Sequence, residues 1–124
     1  MKLNYFKLSE FDSPDVKGSG SNMSLEFLEM LDEARDIAEI PFRITSGFRT
    51  QEHHDDLTRR NYKTSKTSSH LKGLAADIAV TSSKNRYTVF NSLLLAGFTR
   101  IGIANNFIHV DLDDEKTQEV VWTY

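Results

Sequence analysis

The chain has 124 residues, a formal net charge of -3 and no cysteine. That length suits one domain with a single core, and the missing thiols exclude disulfides and leave only His and carboxylate as metal ligands. The acidic balance, with a pI near 5.8, excludes general nucleic-acid binding, and no apolar run of membrane-spanning length breaks the sequence. We therefore expect a soluble chain with no membrane insertion. Met1 to Tyr5 also lacks a signal-peptide core.

Residues 1–22 are the least regular, with Phe6, Leu8 and Phe11 as apolar anchors and a possible helical turn at Ser9 to Asp12. A Pro/Gly/Ser-rich loop follows. From Met23 to Glu39 the spacing predicts a helix. Phe27, Leu28, Leu31, Ala34 and Ala38 form its apolar stripe, Asn22 or Ser24 its cap, and Pro41 its end. Phe42 to Ser46 reads as a strand with Phe42 and Ile44 inward. Gly47 breaks it, and a second helix runs from a Thr50 cap to about Arg59. Residues 60–69 are a polar, basic loop.

From Gly73 the residues alternate as in a strand. Leu74, Ala76, Ile78 and Val80 share one face, and Ala75, Asp77 and Ala79 share the other. An acid between two alanines leaves open space beside it. A third helix is expected from Lys84 to Ala96, capped by Ser82 or Ser83, with Tyr87, Phe90 and Leu94 on one side and Gly97 as its stop. The remainder reads as a strand meander: Thr99 to Ala104, a two-residue turn at Asn105-Asn106 using positive φ, Phe107 to Leu112, then Gln118 to Tyr124 with Val120 and Trp122 on one face. In that register Gly102 lies across from His109 and leaves room for a bound group. The expected class is α+β, with helices packed on a largely antiparallel sheet.

Two strands thus each present a ligand-type side chain between small neighbours, Asp77 on one and His109 on the other, with Asp111 on the same face as His109. Ser68, His70, Gly73, Ala75 and Asp77 together read S-x-H-x-x-G-x-A-x-D. This resembles the zinc motif of the M15 peptidases, the D-alanyl-D-alanine carboxypeptidase family that shares its fold with the hedgehog signalling domain. Phe107 to Asp111 looks like that family's third-ligand strand, and Ser46 to Thr50 like its S-G-[YF]-R segment. The opening residues resemble the small members often encoded by phages.

The resemblance implies zinc held by His70, Asp77 and His109. It implies that Arg49 holds the substrate, with Ser68 beside it, and that the partner is a peptidoglycan stem peptide cut next to D-alanine. A phage-encoded member would stay in the host cytoplasm until released to the wall. The match departs from the family at the proton carrier: Asn106 and Phe107 stand where many members have an acid or a histidine. Asp111 is the first candidate, either as general base or as a group orienting a metal ligand, and His53 or His54 is the other. The departure keeps a second reading open, a metal-holding module that binds peptidoglycan or a protein without cutting it.

Overall fold

The structure, a computed structural model, describes residues 3–62 and 64–124. Three helices, α1 (Leu25–Ala38), α2 (Gln51–Arg59) and α3 (Ser83–Leu95), accompany five strands. These are β1 (Ile44–Ser46), β2 (Ala75–Ala79), β3 (Arg100–Ile103), β4 (Phe107–Asp111) and β5 (Val120–Thr123). They form one sheet in the order β1-β2-β4-β3-β5. Every pairing is antiparallel except β3 with β5. The fold is α+β, and no helix among the described residues is long and apolar enough to cross a membrane.

One face of the sheet makes the core. Ala76 and Ile78 of β2 join Ile108 and Val110 of β4, Phe27, Leu28 and Leu31 of α1, and Val89 and Leu93 of α3 in one buried cluster. The alternation that points these residues inward turns Ala75, Asp77, His109 and Asp111 to the other face. Helix α1 starts at Leu25, later than the Met23 start that the apolar pattern suggests. Ser24 is its cap, accepting from Phe27 N, while Met23 stays buried outside the helix. Glu39 ends it in the left-handed region at φ 57°. Thr50 caps α2 as expected, accepting from His53 N, and its hydroxyl donates at 2.6 Å to Asp15 in the N-terminal loop.

Four expectations need correction. Helix α3 buries Val89, Ser92 and Leu93, whereas Tyr87 and Leu94 are exposed. Ser92 belongs to the buried stripe because its hydroxyl is satisfied locally by the carbonyl of Val89, at 2.8 Å. The tail is not a meander, because both edges of β4 are taken, by β2 and β3. The chain must cross the start of β3 and settle on its outer edge, where it runs parallel. The hairpin forms at Asn105-Asn106, closed by Ala104 N to Phe107 O at 3.0 Å. Neither asparagine, however, takes positive φ. Finally, Gly102 does face His109, but the space it leaves is filled from β5. A Cβ there would lie 2.6 Å from the indole nitrogen of Trp122.

Candidate metal centre and cleft

His70 stands in a one-turn helix, Ser69–Lys72, whose cap is Ser68; the Ser68 hydroxyl accepts from His70 N. The imidazole is buried, and its Nδ1 lies 2.8 Å from the carbonyl oxygen of Gly47. A carbonyl only accepts, so Nδ1 carries the proton and Nε2 presents a lone pair. Nε2 points at Asp77 Oδ1, 3.3 Å away. From β4, His109 places Nδ1 2.9 Å from the same oxygen, while its Nε2 lies 2.8 Å from Asp111 Oδ2. If Nε2–H donates to Asp111, Nδ1 too is a bare acceptor.

In that tautomer three electron-pair donors, two nitrogens and a carboxylate oxygen, converge with no hydrogen left over to hold them together. Such a set needs a cation in its midst, either a proton or a metal. The ligand atoms of His70, Asp77 and His109 all lie within 4.8 Å of one another. Two atoms bound at about 2.0–2.1 Å to a tetrahedral zinc are roughly 3.3 Å apart, so the spacing fits a metal with little movement.

The electrostatics match. Burial pushes the His70 imidazole below its ordinary value, which favours the neutral ligand form over the ion, despite the nearby Asp77. Burial opposes ionisation of Asp77, but the His109 and His70 imidazoles beside it outweigh that and hold the carboxyl well below the usual range. For His109, burial is overcome by Asp111 and Asp77, and its value is raised. In the metal-free protein, stability supplied by the lowered carboxylates is present above about pH 4 and lost as pH falls through their folded values. Stability supplied by protonated His109 runs the other way: it is present below about pH 6.5 and lost as pH rises through its raised folded value. Thermal melts of metal-free protein should therefore give a lower Tm at pH 3 and at pH 9 than near pH 6. A Tm still climbing from pH 6 to pH 9 would contradict the His109 assignment.

Asp111 has several partners in the structure. Its carboxylate is buried, and accepts from Arg100 Nε at 2.7 Å and from Asp113 N at 3.2 Å besides facing His109. Burial acts to raise its pKa, but the bonds from His109 and Arg100 win and lower it. With these partners the group has the contacts of a carboxylate that orients a ligand, and it also lines the cleft described below. Asp111→Asn is expected to weaken metal affinity by roughly 10–100-fold while leaving the fold intact, measured by competition with a chromophoric chelator. Unchanged affinity would remove the orienting role.

Arg49 approaches from the β1–α2 connection. Its backbone N–H donates to His70 O at 3.1 Å, Nε donates to Ser46 Oγ at 3.3 Å, and Nη2 lies 3.9 Å from Asp77 Oδ2. Burial lowers its pKa, against the pull of Asp77, yet a guanidinium stays charged. A cleft of about 780 Å³ opens over this face. His53 and Leu57 of α2 line one part, Ser65 and Ser68 another, and Phe107, Trp122 and Tyr124 an aromatic wall. His54 is buried and does not line the cleft, and its Nδ1 has no hydrogen-bond partner among the described residues. The Ser68 hydroxyl, expected beside the substrate, is engaged as a cap at the cleft wall.

Sequence reasoning missed Arg100. It holds Asp111, donates Nη1 to Thr117 O at 2.6 Å, and stacks on Trp122 at 5.0 Å. Its signal was available, since Arg100 and Gly102 share the face that His109 uses.

An α+β sheet carries a buried His–Asp–His set, a group able to hold a metal ion, beneath an open cleft that a ligand can reach. Residues 4–111 match the family model described as Peptidase M15, and the chain belongs to that family. A comparison with curated proteins gave no match. M15 members are zinc peptidases, so the coarse activity is metallopeptidase hydrolysis, and the His70–Asp77–His109 set is one that can bind the metal.

Proposed function

We propose that the chain is a zinc-dependent D,D-carboxypeptidase or endopeptidase that hydrolyses peptide bonds next to D-alanine in peptidoglycan stem peptides. The observation that carries this reading is the convergence of His70 Nε2, Asp77 Oδ1 and His109 Nδ1 on one point at the floor of the cleft. Zinc in a two-nitrogen, one-carboxylate site with an open position supplies Lewis acidity and lowers the pKa of water toward about 7.

The chain's own residues do the rest. Gly47 and Asp111 fix the tautomers and directions of the two imidazoles through Nδ1 of His70 and Nε2 of His109. Arg49 borders the same cleft, and its planar fork binds a substrate carboxylate or carbonyl. With Asp111 engaged, His53 on α2 is the imidazole at the cleft that carries the proton between nucleophile and leaving amine. His53→Gln is expected to lower kcat by about 10²–10⁴-fold with metal content unchanged, and an unaltered kcat would take that role away.

The overall test is release of D-alanine from a stem pentapeptide by zinc-loaded protein. The absence of an acid at Asn106 or Phe107 favours the second reading, a metal-holding binding module of hedgehog-like fold. Stoichiometric zinc with tight peptide binding and no turnover would establish that reading instead.

A further inference from the structure

The connection from β4 to β5 lies beyond the family-matched residues and brings one more cation to the cleft. Asp113 is fully buried at its start. Its carboxylate accepts from Lys72 Nζ at 3.0 and 3.2 Å, from Ser69 Oγ at 2.8 Å and from Glu115 N at 3.2 Å. Lys116 comes last to this cluster. Its Nζ donates to Ser69 Oγ at 3.1 Å and stays 3.7 Å from Asp113 Oδ2.

An ammonium has three donors, and here one goes to a hydroxyl, while the carboxylate it pairs with at 3.7 Å, the only one in reach among the described residues, is already shared among other donors. Lys116 nonetheless lines the cleft, and its anchor Ser69 is the residue next to the ligand His70. The other cation from this side, Arg100, is committed to Asp111, the Thr117 carbonyl and the Trp122 ring.

The strand register gives the cleft a direction. His109 is the middle residue of β4, with Phe107 and the ring of Tyr124, 5.3 Å from it, toward the start of the strand. Asp111 and the connection carrying Lys116 lie at its end. A peptide laid over the metal set along this line meets an aromatic surface on one side and an ammonium on the other. Arg49 enters from a different connection, between β1 and α2.

We propose that Lys116 anchors a second carboxylate of the substrate, so that the cleft selects a peptide carrying two: one for Arg49, and one on a side chain close to the scissile bond for Lys116. This rests on the peptidase reading above and narrows it. Among stem peptides, those whose third residue is a diamino diacid satisfy both cations, whereas those with lysine there bring a positive charge to Lys116.

The test compares two stem peptides that differ only in whether the side-chain carboxylate of the diamino diacid is free or a primary amide. With zinc-loaded protein the free acid should have the higher kcat/KM, by on the order of 10-fold, chiefly through KM. Lys116→Met should bring the ratio close to one, and Lys116→Arg should restore most of it. A ratio near one in the unaltered protein, or a ratio that survives Lys116→Met, overturns the proposal and leaves Lys116 as a tether for Ser69. If neither peptide is cleaved, the peptidase reading fails by itself, and calorimetric binding of the same pair decides the inference. A preference for the acid that Lys116→Met removes supports it, and equal binding sinks it.

Discussion

Replacing His70 with alanine is expected to abolish stoichiometric zinc binding and to lower kcat/KM toward a stem peptide by roughly 10³-fold or more. Losing one nitrogen of the three-donor set leaves only Asp77 and His109 to grip the ion, too few to hold it at catalytic zinc concentrations. Elemental analysis after dialysis gives the metal result directly. Asp77→Asn makes a sharper companion, because its two effects should run in opposite directions. The amide nitrogen can donate to a histidine nitrogen where the carboxylate oxygen only accepts, at 3.3 Å from His70 and 2.9 Å from His109. Zinc affinity should collapse, while at a pH high enough to deprotonate His109 the metal-free variant should melt no lower than the parent protein. A clear drop in metal-free Tm at that pH would mean that the three atoms do not oppose one another as acceptors. His70→Ala that still binds zinc one to one would undo the assignment of the site.

Gly73→Ala is expected to destabilise the fold by about 3–5 kcal/mol, visible as a fall in Tm on the order of 10 °C or more. Two independent costs add at this residue. Gly73 closes the turn that carries His70 with φ at 70°, in the left-handed region where a Cβ is penalised. A Cβ built there also falls 2.3 Å from the carbonyl oxygen of Asn22 and 3.1 Å from the Cα of Met23, backbone atoms with no rotamer to escape into. Those same residues lead into α1, and the Gly73 carbonyl accepts from Ser24 N at 2.9 Å. The glycine between the first two metal ligands is thus where the ligand turn is pressed against the scaffold helix. Because a domain of this size is stable by only about 5–15 kcal/mol, the variant should sit near the edge of folding. A Tm within a degree or two of the parent would show that the turn can shift at little cost.

The metal set was legible because its members are marked by neighbours as well as by type. His70 sits between a cap at Ser68 and a turn-closing Gly73, and Asp77 and His109 each alternate with core residues such as Ile78 and Ile108. Period and punctuation are local properties, so one chain shows them. Helix ends were legible for the same reason at Ser24, Thr50 and Ser82. What a sequence hides is which edge of the sheet remains free. The placement of β5 depends on β4 being occupied on both sides, and with it went the position of Trp122 over Gly102. The role of Asp111 was undecidable for a similar reason. Its partner Arg100 lies eleven residues earlier in the chain, so only the folded sheet shows the carboxylate to be engaged. In helix α3 the large side chains on one side, Tyr87 and Leu94, do not mark the buried face, which Val89, Ser92 and Leu93 form.

The path of the last segment has an evolutionary reading. The side chains able to hold an ion lie before Asp111, whereas Lys116, Trp122 and Tyr124 arrive afterwards on a ribbon laid along the outer margin of the sheet. On the function proposed above, preference for one wall chemistry over another can then drift in that ribbon without disturbing the machinery that needs tight geometry. A hybrid bearing a sibling enzyme's ribbon should keep its appetite for zinc and change its diet.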